Sequence, residues 1–344
     1  MGPFNLGAAL EKHETERKQG TVKPFSKGNA VKRPTILDCV LYASELQNVK
    51  LPDKQMFLCP IIEEGRIIII VGWRGVGKTW FAVSLIDAIT RGLDFGPWEF
   101  KSAASCLYLD GEMAIQDIQA RYKTLNPKGQ HIAPLVFYSD AYASSLGMPR
   151  ASLLNRQWRA EMKKALLELE IKVFVIDNIA SLAPGIDENS KQAWDPINQW
   201  LIDLRFSGIT TILLHHTNKD GGQRGTSARE DNVDLSIVLK QPPDYTPDSG
   251  ADFIVSFSKS RVTFADLLKL QDCRFTLSEL DGVQSWQWRN VKTEIKEEAI
   301  RMIDQSMDYK DIAAALGISK GRVSQIKSAA VKAGVLDSNG RYKR

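Results

Sequence analysis

Gly72-Trp73-Arg74-Gly75-Val76-Gly77-Lys78-Thr79 sets three glycines, a lysine and a threonine at the spacing of a phosphate-binding loop, G-x-x-x-x-G-K-[ST]. Glycines let successive backbone N–H groups close around phosphate oxygens, because no Cβ obstructs the approach. The start of a following helix adds its positive end. Lys78 would meet the outer phosphates as a point charge, and the Thr79 hydroxyl would take a place on Mg²⁺. The nucleotide-contacting stretch therefore comprises Gly72, Trp73, Arg74, Gly75, Val76, Gly77, Lys78, Thr79 and Trp80.

Three further positions complete a nucleotide-hydrolysing site. Asp177 follows the apolar run Val173-Phe174-Val175-Ile176, where a carboxylate that orients Mg²⁺ is expected. Glu112 lies just beyond Leu107-Tyr108-Leu109, placed to take a proton from attacking water or to orient it. Asp110 competes for that role, the alternative being a cap on the turn. His215 and His216 end another apolar run, with His216 the stronger candidate to sense the γ-phosphate. A glycine-bearing loop follows, carrying Arg224-Gly225-Thr226-Ser227.

These residues require a scaffold. The β-branched run 66–71 reads as a buried parallel strand and 79–90 as a helix. Strands over 105–109, 135–139, 172–176 and 209–214 alternate with helices over 116–125, 153–169 and 195–206. The 153–169 helix carries an apolar stripe through Leu154, Trp158, Met162, Leu166 and Leu169, while Asp195-Pro196 reads as N-cap and first residue of the next. Strand–helix alternation predicts an α/β, doubly wound, mostly parallel sheet with its chemistry at the strands' carboxyl ends. From about residue 233 the strands follow one another without helices, and Asp281-Gly282 signals a two-residue hairpin. Trp286 and Trp288 are expected on one half-buried face. Residues 35–46 have the spacing of a first helix.

The chain divides into a flexible basic arm (1–34), an ATPase domain (35–290) and a small all-α domain (291–344). In the last, 311–319 and 320–326 have the form of a helix-turn-helix. Ala313 allows close packing, Gly317 makes the turn, Ser319 caps the second helix, and Val323 and Ile326 pack inward. Ser319, Lys320, Arg322, Ser324, Gln325 and Lys327 are left to contact DNA phosphates and base edges. The net charge of +4 is uneven: residues 1–35 carry +4 and 320–344 carry +6, so the body between is acidic. Attraction to nucleic acid is then local. Four isolated cysteines (Cys39, Cys59, Cys106, Cys273), no apolar run long enough to span a bilayer and no secretory h-region lead to the expectation of a cytoplasmic protein without a membrane partner.

The phosphate loop, Glu112, Asp177, Leu213-Leu214-His215-His216-Thr217-Asn218-Lys219 and Arg224-Gly225-Thr226-Ser227 together resemble the RecA-like ATPases of the plasmid hexameric replicative helicase (RepA) type, over about 36–290. The resemblance implies a six-membered homo-oligomeric ring with ATP and Mg²⁺ between neighbouring subunits. It implies water activation by Glu112, metal orientation by Asp177, γ-phosphate sensing by His216, and Arg224 as the finger given to the neighbour's ATP. Lys259-Ser260-Arg261 is similar to the K-x-R element of the DnaB and KaiC ATPases, a second candidate for action across the interface. Single-stranded DNA would contact the loops at 181–191 and 218–230. Three readings follow: a ring-forming DNA motor, an ATP-controlled DNA-binding regulator or loader without unwinding, and a recombination mediator.

Overall fold

The computed structural model describes residues 35–186, 190–217 and 232–342. The arm at 1–34, residues 187–189 of the 181–191 loop and the whole of the 218–230 loop, Arg224 included, lie outside the described residues. The chain forms two compact units, Met1–Asp53 and Lys54–Arg344.

Within the first unit, residues 35–46 do not form one helix. A 3-10 turn at Ile36–Cys39 and a short α-helix at Ala43–Asn48 are separated by extended backbone at Val40. Asp38 caps Thr35 N–H at 2.7 Å and Glu45 caps Tyr42 N–H at 2.9 Å, so each turn is closed locally. No residue of either turn is buried, and nothing apolar rewards joining them.

Among its described residues the second unit is built on twelve strands. A small sheet comprises β1 (Met56–Cys59), β2 (Ile62–Glu63) and β4 (Glu99–Phe100). The large sheet comprises β3 (Ile67–Gly72), β5 (Cys106–Asp110), β6 (Leu135–Ser139), β7 (Val173–Asp177), β8 (Thr210–His216), β9 (Leu235–Lys240), β10 (Asp252–Ser260), β11 (Cys273–Leu280) and β12 (Val283–Asn290). Its order is β12-β11-β10-β9-β3-β8-β7-β5-β6. From β9 to β6 all neighbours are parallel, and from β9 to β12 all are antiparallel.

Helices α1 (Lys78–Arg91), α2 (Ile115–Leu125), α3 (Arg156–Glu168) and α4 (Lys191–Phe206) accompany the parallel strands. β3 shows why both faces must be covered. Ile68 and Ile70 enter one core with Phe81, Leu85, Ile86 and Ile89 of α1. Ile67, Ile69 and Val71 enter the other with Trp158, Met162 and Leu166 of α3 and Trp194, Ile197, Leu201 and Leu204 of α4. A period-two strand apolar on both faces requires helices on both sides. Each fully buried apolar side chain contributes about 1.5–3 kcal/mol, and α1 is buried without a break from Phe81 to Thr90, so it is held on all sides.

Three boundaries differ from the expectation. α3 begins after Asn155, whose side chain accepts from Gln157 N and Trp158 N; Leu154 and Leu169 fall outside it and are exposed. α4 begins at Lys191, capped by Ser190, and Pro196 lies inside. Burial of Trp194 at the head of the Trp194, Ile197, Leu201, Leu204 stripe requires helix before the proline, and Ser190 supplies the cap. Trp286 packs against Phe95, Phe253 and Phe275, but Trp288 is 45% exposed, because that core ends at Trp286. Asp281 and Gly282, both at positive φ, join β11 to β12.

After β12 come α5 (Val291–Asp304), α6 (Tyr309–Leu316) and α7 (Lys320–Lys332), with their own core of Ile300, Ile303, Ile312, Val323 and Ile326. Among the described residues no helix is long and apolar enough to cross a membrane.

Candidate functional site

The parallel order β3-β8-β7-β5 brings the carboxyl ends of four adjacent strands to one edge. Gly72 ends β3 and pairs in register with His216 of β8; Asp177 ends β7 and pairs with Asp110 of β5. Residues far apart in sequence thus meet in one cleft of about 790 Å³, lined among others by Lys78, Thr79, Glu112, Asp177 and His216.

The loop between β3 and α1 sets one wall. Gly77 has φ +109°, and a Cβ there would lie 2.9 Å from the Phe253 ring, so both conformation and space demand glycine. Gly72 has no such φ; its Cβ would lie 2.9 Å from the Leu239 carbonyl, so close packing on β9 demands it. Arg74, Gly75, Gly77, Lys78, Thr79 and Trp80 line the cleft, whereas Val76 is buried beneath it and Trp73 stands outside it, 36% exposed. Lys78 is buried, and its Nζ donates to the carbonyls of Gly72 (2.8 Å) and Trp73 (2.9 Å). Burial lowers its pKa to about 8 against the opposing pull of Asp177 and Glu112.

Asp177 faces that wall. Its Oδ2 accepts from Thr79 Oγ1 at 2.6 Å and from the Tyr108 hydroxyl. Burial pushes the Asp177 carboxyl up, opposed by the Thr79 and Tyr108 hydrogen bonds. Burial, reinforced by Asp177, holds the Tyr108 hydroxyl well above the ordinary phenol range. A hydroxyl beside a carboxylate is a hard-oxygen pair of the kind Mg²⁺ takes alongside water and phosphate. Among the described residues no group of three or more His, Cys, Asp or Glu forms a protein-only metal cage.

The two acids of the β5 turn are separated by their hydrogen bonds. Asp110 Oδ1 accepts from the N–H of Glu112 (2.9 Å) and Met113 (2.6 Å) and so caps the turn. The Glu112 side chain is exposed in the cleft, and its Oε2 accepts from Asn178 Nδ2 at 2.5 Å. Arg150 donates from Nε to the buried Asp140 (2.9 Å) and from Nη2 to the Gly111 carbonyl (3.4 Å). His216 lines the cleft, while His215, one residue earlier on the strand, is buried away from it.

Asp110 carries a stability prediction. Burial pushes its carboxyl up to about 6 from an ordinary 3.8, against the two backbone hydrogen bonds. The folded protein therefore binds this proton more tightly than the unfolded chain, and stability falls as pH rises through roughly 4 to 6. Asp110→Asn keeps the accepting oxygen and removes the charge. Urea unfolding should show it about 1–3 kcal/mol more stable than wild type at pH 7.5, with the gain absent at pH 4.

Lys259 and Arg261 lie elsewhere. β10 runs antiparallel to β9, so Ser260 pairs with Leu235 at the amino end of the parallel strands, opposite the cleft. Arg261 Nη1 is 3.6 Å from Asp234, which also receives Arg205 at 2.5 Å.

On α7, Ser319 caps Arg322 N at 3.2 Å. Lys320, Arg322, Ser324 and Gln325 are exposed, and Lys327 lies 6.0 Å over the Tyr309 ring. Gly317 takes φ +62° between α6 and α7. Beyond α7, Leu336 and Tyr342 form an antiparallel bridge, and Tyr342 N donates to Asp304 at 2.9 Å. Nothing in the pattern of these short segments announced that bridge.

The sequence profile of the AAA domain family matches residues 33–222, more than half of the chain. The chain belongs to that family. The matched span takes in Lys78, Thr79, Glu112, Asp177 and His216, all of which line the cleft, and membership of the family supports ATPase activity. No curated protein matches the chain. Among solved structures, the crystal structure of a KaiC-like protein from the hyperthermophilic archaeon Pyrococcus horikoshii is similar at 15% identity, covering 67% of this chain and 93% of that one, with a TM-score of 0.44.

Asn178 and Arg150 also line the cleft, Tyr108 donates to Asp177 and Asp140 accepts from Arg150, and none of the four stands out in the sequence by motif. A tyrosine inside the otherwise apolar β5 was one available signal, since a buried phenol needs a partner. An amide directly after Asp177 was another.

Proposed function

We propose that this chain is a Mg²⁺-dependent ATPase working as a ring-forming, replicative-helicase-like DNA motor of hexameric type, with residues 291–344 acting as a helix-turn-helix that directs it to duplex DNA. The observation that carries the reading is the single cleft in which Lys78, Thr79, Asp177, Glu112 and His216 meet at four neighbouring strand ends. Lys78 and the loop N–H groups hold the triphosphate. Thr79 and Asp177 hold Mg²⁺, which when bound neutralises charge on the outer phosphates. Glu112 takes the proton of the attacking water, and His216 senses loss of the γ-phosphate. Single-stranded DNA runs through the ring; the exposed side chains of α7 meet the duplex.

The reading needs a cation from a neighbouring subunit, and Arg224 is its first candidate. Lys259 and Arg261 lie opposite their own cleft, so any part they play is likewise across an interface. Arg224→Ala should retain nucleotide binding and lose about 10³-fold or more in turnover. Mixing it with a Lys78→Met subunit should restore part of the activity; normal turnover in the homogeneous variant removes Arg224 from the mechanism.

The packed α5–α7 core favours a second reading, an ATP-controlled DNA-binding regulator or loader. Turnover and fork unwinding measured side by side separate the two. The motor reading expects single strands to stimulate turnover and unwinding to accompany it. It also expects Lys320→Ala/Arg322→Ala to weaken duplex binding and its salt dependence while sparing turnover on single strands. ATP turnover without unwinding on any fork leaves the regulator.

A further inference from the structure

We infer that Asn178 is a positioning residue that fixes the carboxylate of Glu112 for water activation, an inference that rests on the assignment of Glu112 as the proton acceptor. Asn178 is only 2% exposed, and its side chain is committed at both ends. Oδ1 accepts from Ser181 N at 3.0 Å and from Ser181 Oγ at 3.3 Å, capping the short helix Ile179–Leu182. A backbone N–H can only donate, so the amide orientation is decided and Nδ2 must be the end that faces Glu112. It donates to Glu112 Oε2 at 2.5 Å.

Glu112 needs this help because its side chain is exposed and otherwise free to sample several rotamers. A charge-assisted hydrogen bond from a buried, doubly anchored amide selects one of them. One carboxylate oxygen is thereby occupied, and Oε1, which has no protein partner among the described residues, is left for water. The backbone beneath is gripped as well. A Cβ on Gly111 would lie 2.7 Å from Leu182, so the helix that Asn178 caps packs directly on the Glu112 turn. Arg150 holds the Gly111 carbonyl from the other side. Asn178 therefore ties the strand that ends in Asp177 to the turn that carries Glu112.

Two substitutions keep the cap: one removes the reach to Glu112, and the other keeps the reach and replaces the donor by a carboxylate. In Asn178→Ser the hydroxyl can still accept from Ser181 N but is too short to meet Glu112. Asn178→Asp keeps the accepting oxygen and sets a second carboxylate against Glu112. The inference expects Asn178→Ser to lower kcat about ten-fold or more, with nucleotide Kd within two-fold of wild type, because the loss falls on proton transfer. It expects Asn178→Asp to move the acid limb of the kcat–pH profile upward by about one unit, since a neighbouring like charge raises the pKa of the base. Wild-type kcat and an unmoved acid limb overturn it, as does a fall in kcat that only follows lost nucleotide binding. Glu112→Gln in the same series tests the foundation: wild-type turnover there removes Glu112 as the base, and the inference with it.

Discussion

Lys78→Met is expected to fold, to be at least as stable as wild type near pH 7, and to lose nucleotide binding by about a hundred-fold or more. In the free protein the Lys78 ammonium is buried and satisfied by two carbonyls of its own loop. Its pKa of about 8 instead of 10.5 means that the charged form is held at a cost, on the order of 1–3 kcal/mol. A depressed ammonium binds its proton less tightly in the folded state, so this cost is present below pH 8 and fades as pH rises towards 10.5. Methionine keeps most of the volume and removes the charge. Urea unfolding should therefore show the variant gaining most near pH 7 and least near pH 10. Nucleotide affinity moves the other way, because two charge-assisted hydrogen bonds to phosphate, about 1.5–3 kcal/mol each, are lost.

The same group gives wild type a signature. Phosphate oxygens raise the Lys78 pKa, so binding favours the protonated amine and affinity should decline above pH 8, approaching ten-fold per unit. Lys78→Met should lack that decline. A variant that binds nucleotide like wild type, or a wild-type affinity flat to pH 9.5, refutes the role of the lysine. The trade is the familiar one at a binding site: a charge kept where the empty protein would be better without it.

The elements that hold this site were legible where local chemistry decides them. β3 and α1 follow from a β-branched run, a glycine loop and an apolar helical face, and all three are local. The two-turn segment at 35–46 and the early start of α4 were not, because in each case a cap decided the outcome. Thr35–Asp38, Tyr42–Glu45 and Ser190–Ala193 are worth about 1 kcal/mol each, enough to move a boundary that periodicity leaves open. The site divides in the same way. Lys78, Thr79 and Asp177 stand at positions their own strands and loop define, so type and spacing were enough to place them at the strand ends that border the cleft. The choice between Asp110 and Glu112 needed to know which carboxylate the turn's own N–H groups capture. Asn178 needed β7 beside β5, and Arg150 needed β6 beside β5, pairings that exist only when the sheet is assembled.

Glu112→Gln should produce the largest loss of turnover with the least disturbance of binding. The glutamine amide oxygen can still accept from Asn178 Nδ2, and the turn beneath is held through Asp110 and not through residue 112. Position and shape persist; only the capacity to take a proton is removed. General-base catalysis of this kind contributes about 10²–10⁴, so kcat should fall by that factor while nucleotide Kd stays within about three-fold. Asp110→Asn is the matched control from the same turn. It removes a negative charge from the same turn but keeps the capping oxygen, so its kcat should remain within a few-fold of wild type. If the two variants exchange behaviours, Asp110 is the base and Glu112 the exposed bystander, a result that the hydrogen bonds of the turn make hard to reconcile with this geometry. If both lose turnover equally, the two carboxylates act as one charged unit whose field on the nucleotide, and not proton transfer at a single oxygen, is what the site supplies.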